Sequence, residues 1–368
     1  MSLSDAQHMR RAVALARRSE GFTHPNPMVG CVLVKDGEVV GEGWHRAPGL
    51  PHAEVEAMRD AGEDARGATA YVTLEPCNHY GKTPPCSKGL IEAGVAEVVF
   101  GIRDLNKEAE GGAATLRKAG IEARLFTGDR DVTTACAELI RPWVHSLTCW
   151  RPWVTAKLAM TLDGATATST GESRWITGPG ARARGHDLRQ RTGAILVGVE
   201  TVLADNPGLD ARPESREPAP SLKVVLDSTL RTPTSAKFLS TPGLALIFGH
   251  EDAASDRAAA LETAGAEIAL VPGEKGQPDI KEALRLLKDR GVNDLMIEGG
   301  GTILGTAFDA GVVDEVWAFV APMIMGGGRR AVSGQGPDAL ADAMRLSHIT
   351  TEQLGPDLLI RGLSKRSA

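Results

Sequence analysis

Aromatic residues make up only 4% of the 368-residue chain, cysteine occurs five times, and Lys plus Arg (41) are outnumbered by Asp plus Glu (47). Each shortage excludes something. A formal net charge of −6 opposes any activity resting on broad attraction to a nucleic-acid backbone, and scarce aromatics leave little surface for stacking bases. The cysteines, odd in number and widely spaced, do not describe a disulfide framework and read as reduced thiols. No run approaches the roughly 20 apolar residues of a membrane span, and Ala12 to Ala16, flanked by arginines, is too short for a secretory h-region. A cytoplasmic enzyme or binding protein is expected, with no nucleic-acid or membrane partner and with homo-oligomeric packing of the kind common among such proteins.

What is present is ample material for folding. At 42% hydrophobic and 24% charged, the chain can build a core in each of two or three domains. Ser4 and Gln7 stand in capping-box spacing before Met9, Ala12, Val13 and Ala16, which predicts a helix. Met28 to Val34 and Glu38 to Trp44 read as a hairpin about Lys35-Asp36-Gly37. Strands at Thr69 to Leu74, Val95 to Gly101 and Ile121 to Phe126 alternate with helices at Ala53 to Ala61, Lys88 to Ala93 and Ala113 to Ala119, an α/β layer pattern. Arg141-Pro142-Trp143 and Arg151-Pro152-Trp153 break a stretch of weak periodicity, so the boundary is placed near residue 145, giving 1–145 and 146–368. Beyond it, strands from Val154 to Leu162 through Leu358 to Gly362 and three intervening helices predict a second α/β domain. The proline-rich stretches Asn206 to Ser221 and Thr232 to Pro242 read as surface loops.

The first chemical constellation is His52-Ala53-Glu54 with Glu75-Pro76-Cys77 and, after a loop, Pro84-Pro85-Cys86. One imidazole and two thiolates form a zinc ligand set that leaves the fourth tetrahedral position open, as catalysis requires. Glu54, two residues from a ligand, can carry protons from an activated water to a leaving amine. The pattern matches the zinc deaminase signature H-x-E…P-C-x-x-C except that eight residues, rather than two, separate the cysteines. Pro84-Pro85 can start a helix whose N-terminus favours the Cys86 thiolate. Cys77 and Cys86 alone would read as buried small hydrophobes, but the joint pattern reverses that. Cys31, Cys136 and Cys149 lack a ligand pattern and read as inert. His79 is open between fourth ligand, substrate contact and neither, substrate contact being favoured because a closed site has no use for Glu54.

The second half has neither a G-x-G-x-x-G fingerprint nor a Walker A lysine. Glu298-Gly299-Gly300-Gly301-Thr302 follows an apolar strand and opens a helix, so its amides could cradle a phosphate; alone, it reads more simply as a flexible turn. Arg189 and Arg212 are candidate phosphate forks, though each singly reads as a surface charge.

Taken together, Pro25 to Cys31, Gly41 to His45, Pro51 to Glu54 and Leu74 to Cys86 resemble the deaminase half of the RibD family of bifunctional riboflavin-biosynthesis enzymes. Arg151 to Val154, Lys157 to Gly164, Gly171 to Ser173, Trp175 to Thr177, Thr201 to Pro207 and Glu298 to Thr302 resemble its reductase half, in order. The sequence departs from the family pattern at Ala47-Pro48-Gly49 and at Asp104-Leu105-Asn106-Lys107, neither touching the zinc ligands.

The resemblance implies a cytidine-deaminase-like three-layer α/β/α domain followed by a dihydrofolate-reductase-like α/β domain. It assigns zinc to His52, Cys77 and Cys86, proton transfer to Glu54, and binding of the pyrimidine or its ribose phosphate to Asn26, His45, His79 and Lys82. It places NADPH near Ala159, Trp175, Thr201, Asp205 and Gly300, Gly301, Thr302, Ile303, Leu304, Gly305 and Thr306, with Ser228 a further contact. The phosphoribosyl substrate falls near Ser173, Arg189, Leu209, Arg212 and Glu298. Lys157 is either a proton donor or a strand-end surface lysine. The implied chemistry is hydrolytic deamination of 2,5-diamino-6-ribosylamino-4(3H)-pyrimidinone 5′-phosphate, then reduction of the ribosyl group to ribityl. The alternatives are a zinc deaminase of a free base, nucleoside or tRNA with a regulatory second half, and a non-catalytic zinc-stabilised binding module.

Overall fold

The computed structural model describes residues 4–80, 84–214 and 216–365, and the chain divides into two compact units, 1–149 and 150–368.

In the first unit the strands are β1 (Gly30–Lys35), β2 (Glu38–Trp44), β3 (Thr69–Leu74), β4 (Glu97–Ile102) and β5 (Glu122–Leu125). They form one sheet in the order β2-β1-β3-β4-β5, with β1 antiparallel to both neighbours and β3, β4 and β5 parallel. Asp36 and Gly37 turn the first hairpin at φ 52° and 82°, the left-handed pair that a tight two-residue turn needs. The helices are α1 (Asp5–Ala16), α2 (Ala53–Ala61), α3 (Cys86–Ala93), α4 (Gly112–Lys118) and α5 (Arg130–Thr148). The capping box is present at the start of α1, where the Ser4 amide donates to Gln7 Oε1 at 2.7 Å.

Two glycines of β2 decide where α2 sits. A Cβ on Gly41 would lie 2.4 Å from the Ala57 carbonyl oxygen, and one on Gly43 would lie 2.2 Å from that of Ala53. Bare strand backbone therefore lets α2 close onto the sheet. Gly30, one position along β1 from the residue opposite Gly43, admits α1 on the opposite face in the same way. Helices on both faces make three layers, with the core between them.

The second unit contains β6 (Trp153–Thr161), β7 (Ala165–Ala167), β8 (Ala194–Gly198), β9 (Leu222–Leu226), β10 (Ala245–His250), β11 (Glu267–Val271), β12 (Asp294–Glu298), β13 (Glu315–Ala321), β14 (Arg329–Arg330), β15 (Arg345–Leu354) and β16 (Asp357–Lys365). Nine of these make a sheet in the order β11-β10-β9-β8-β12-β6-β13-β16-β15, while β7 pairs with β14. From β11 to β13 the neighbours are parallel; β16 and β15 run antiparallel at the edge. The helices are α6 (Pro179–Arg191), α7 (Val199–Asp205), α8 (Lys237–Ser240), α9 (Ser255–Thr263), α10 (Ile280–Asp289) and α11 (Gly301–Asp309). Two apolar clusters fill the unit. β12 sits between β8 and β6, so the crossover connections part there, and in open α/β sheets ligands bind beyond the carboxyl ends of the strands at such a point.

The stretch expected to connect the domains is instead helical. Helix α5 runs through Pro142 to Thr148, with Asp129 capping its first turn by accepting from the amides of Asp131 and Val132. Its buried stripe of Val132, Cys136, Leu139 and Ile140 outweighs the proline. The exposed strand β15 was also hidden from sequence patterning, since most of its residues face solvent and no alternation marks it.

Candidate active sites

In the first unit, His52 caps α2, Cys77 follows β3, and Cys86 is the first residue of α3. His52 Nδ1 lies 3.6 Å from Cys77 Sγ and 3.3 Å from Cys86 Sγ, and the three donor atoms lie within 4.8 Å of one another. A tetrahedral ion with bonds of about 2.0–2.3 Å separates its donors by roughly 3.5–3.8 Å, so these residues fit zinc. The Cys86 amide points at Cys77 Sγ at 3.4 Å. Contact with Cys86, and then with His52, holds the Cys77 thiol well below the usual thiol range. The Cys86 thiol is pushed up beside it, because a second thiolate there meets the first.

Glu54, on the first turn of α2, is 4% exposed. Burial, joined by Cys77, raises its carboxyl to about 7. His45 Nδ1 lies 3.1 Å from the Pro51 carbonyl oxygen and Nε2 lies 3.0 Å from the Asn26 amide nitrogen. This pairing selects the tautomer that donates from Nδ1 and accepts at Nε2, and burial lowers the pKa of the ring. Its ring packs edge-on to His52 at 5.5 Å, so Asn26 and His45 adjoin the ligand set. His79 has a buried, unpartnered Nδ1 and interacts with Asp104. In the sequence Asp104 stands out only as part of a departure from the family pattern; it is 6% exposed, and burial raises its carboxyl to about 6. A lone aspartate gives no sign of such burial in sequence. Lys82 lies outside the described residues.

In the second unit Glu298, at the end of β12, joins two cations. Lys157 Nζ lies 3.0 Å from its Oε1 and Arg189 Nε 2.7 Å from its Oε2. Burial alone would raise the Glu298 carboxyl, but Arg189 and Lys157 outweigh it and hold it well below the usual carboxylate range. Lys157 is thus a partner of Glu298 rather than a surface residue. Arg189 also donates to the Asp210 carbonyl oxygen at 3.0 Å, and Arg212 forks onto the Asp210 carboxylate at 2.8 and 3.0 Å. Leu209 is fully buried at φ 50°, so its side chain belongs to the core and only its main chain can face a ligand. Ser173 and Trp175 stand in the loop between β7 and α6, with Trp175 66% exposed.

Gly299 and Gly300 adopt φ 82° and 78°, and a Cβ on Gly300 would meet Thr201 Oγ1 at 3.3 Å. The glycine turn and Thr201 therefore adjoin at the start of α11. The run Gly301 to Thr306 is helical; Leu304 is 2% exposed and sits in the core, and Thr306 Oγ1 donates to the Thr302 carbonyl oxygen. Asp205, at the end of α7, pairs with Arg174 at 3.4 Å. Ala159 is half-buried on β6, and Ser228 follows β9 with its carbonyl accepting from the His250 amide.

Residues 152–360 match the family described as the RibD C-terminal domain, and residues 2–102 match the cytidine and deoxycytidylate deaminase zinc-binding region. The chain is 39% identical to the riboflavin biosynthesis protein RibD of Actinobacillus pleuropneumoniae, covering 98% of this chain and 95% of that one. The chain belongs to the RibD family.

The RibD protein of Escherichia coli is 38% identical over 97% of this chain and 99% of its own. Among solved structures, Acinetobacter baumannii RibD superposes with a TM-score of 0.85 at 34% identity, covering 98% of this chain and 99% of that one. A deaminase/reductase from Thermotoga maritima superposes with a TM-score of 0.84 at 31% identity over the same shares. As a RibD protein, the chain joins a zinc-dependent deaminase domain to an NADPH-dependent reductase domain in one riboflavin-biosynthesis enzyme. No helix among the described residues is long and apolar enough to cross a membrane.

Proposed function

We propose that His52, Cys77 and Cys86 hold the zinc and that Glu54 moves the protons in hydrolysis of the 2-amino group of the phosphoribosyl diaminopyrimidinone. The convergence of one imidazole and two thiols beside a buried carboxyl carries this reading. When bound, zinc supplies the Lewis acidity that makes water nucleophilic near neutral pH. A carboxyl raised to about 7 can both take a proton from water and return one to the departing ammonia. Asn26, through its bond to His45, orients an imidazole toward the pyrimidine, and His79 with Asp104 forms a further polar wall for it.

In the second unit, Glu298, Arg189 and Arg212 receive the phosphoribosyl chain, with Ser173 and the main chain of Leu209 beside them. The turn at Gly300 and the first turn of α11, with Thr201, Asp205, Trp175, Ala159 and Ser228, bind NADPH, which supplies the hydride that converts ribosyl to ribityl. Lys157, oriented by Glu298, is the proton donor. The domain assignment 1–145 and 146–368 follows these two chemistries. Unpaired cysteines, all five of them, suit a reducing cytoplasm, and the exposed Ile324, Leu340 and Ile349 suit contact between copies.

The test is one reaction followed for both ammonia and NADPH. Glu54→Gln should abolish ammonia release while NADPH oxidation on the separately supplied deaminated intermediate stays normal. Undiminished ammonia release by that variant would sink the assignment of Glu54.

A further inference from the structure

Helix α6 presents one face to the reductase cluster. Arg182 stacks 4.5 Å over the Trp175 ring, a Cβ on Gly185 would lie 3.9 Å from Lys157 Cε, and Arg189 binds Glu298. Positions 182, 185 and 189 share a helical face, and His186, four residues after Arg182 and three before Arg189, borders it. Neither the family resemblance nor the reading of the site above gives this histidine a role.

Its surroundings are polar and charged: Arg189, Glu298, Arg212 and Asp210 all act on it electrostatically. Among the described residues, Lys157, Arg189 and Arg212 pair with two carboxylates, Glu298 and Asp210, which leaves a positive surplus suited to a phosphate. Burial, with the neighbouring Arg189, lowers the His186 ring to about 4, so at neutral pH it adds no third guanidinium-like charge. A neutral imidazole instead carries one N–H and one lone pair. Its Nδ1 is closed off from solvent with no hydrogen-bond partner. An orphaned donor is rarer than an under-used acceptor in buried sites, so the proton belongs on Nε2.

We propose that His186 is a substrate-binding residue of the reductase, donating from Nε2 to an oxygen of the phosphorylated ribosyl chain held by Arg189 and Arg212. The inference rests on the reading of this cluster as the phosphoribosyl site. It adds the residue that recognises the neutral part of that chain, where an arginine or lysine would over-bind the phosphate instead.

The experiment measures reductase kinetics on the deaminated substrate, with ribose 5-phosphate as a competing probe. His186→Ala should raise KM for the substrate about five- to tenfold, the worth of one neutral hydrogen bond, and weaken inhibition by ribose 5-phosphate equally. KM for NADPH and ammonia release should not move. Gln, whose amide nitrogen reaches the Nε2 position, should restore binding, whereas Asn, which reaches only the Nδ1 position, should not. If the Ala variant loses its folding transition, His186→Leu preserves the side-chain volume and carries the same readout. A substrate KM within twofold of wild type, an equal rise for NADPH, or rescue by Asn but not Gln overturns the proposal. Absence of wild-type turnover would instead overturn the reading of the site itself.

Discussion

Lys157 and Glu298 occupy paired positions on the adjacent parallel strands β6 and β12, and their side chains meet at 3.0 Å. They are 141 residues apart in the chain. The pair places a cation and a carboxylate on the central strands where the strand order parts, with Arg189 closing the other side of the carboxylate.

Replacing Glu298 with Gln removes the charge that orients both cations. Reductase turnover should fall about a hundredfold or more, within the range a positioned proton-transfer group contributes, while ammonia release continues. Steady-state assays of the two half-reactions read this directly, and an equal loss of both activities would contradict it.

Cys77→Ser and Cys86→Ser should each lower zinc content to background and abolish ammonia release, because a hydroxyl replaces a thiolate donor. NADPH oxidation on the deaminated substrate should persist. Metal analysis of the purified variants, beside the two assays, is the check.

Gly43→Ala should damage the deaminase without touching any ligand. The added methyl would fall 2.2 Å from the Ala53 carbonyl oxygen, so α2 must move, taking His52 and Glu54 with it. The expected costs are about 1–3 kcal/mol of stability from overpacking and weaker zinc retention. Denaturant melts and zinc release to a chelator would show both, and a variant indistinguishable from wild type would refute the close packing.

His186 also makes a pH prediction. Its folded-state pKa of about 4 lies below the ordinary 6.5, so between those values the unfolded chain binds more protons than the folded one. Stability therefore falls as pH drops from 6.5 toward 4 and levels off below. With Arg189 and Arg212 opposing its charge and Glu298 and Asp210 favouring it, His186→Gln should lose less melting temperature between pH 7 and pH 4 than wild type does. Equal losses would remove His186 from the titration.

Much of the deaminase site was legible in advance because its parts are local. His52 and Glu54 share one helical turn, and Cys77 and Cys86 flank one loop, so their types and spacing carried the chemistry. The hairpin at Asp36-Gly37 and the capping box at Ser4 and Gln7 were equally local, and both stand where their residue types require. Helix α5 and strand β15 were not legible, one because a proline interrupts its apolar stripe, the other because an exposed edge strand carries no alternation.

The sequence by itself determined which residues stand as candidate metal donors, the α/β character of both halves and, through its motifs, the family. Only the tertiary structure decided that Glu298 bridges Lys157 and Arg189, that Leu209 turns its side chain into the core, and that Asp104 and His186 lose most of their water. The physical reason is that strand register and helix packing set distances between residues remote in the chain. Desolvation follows from that packing, and no residue type announces it alone.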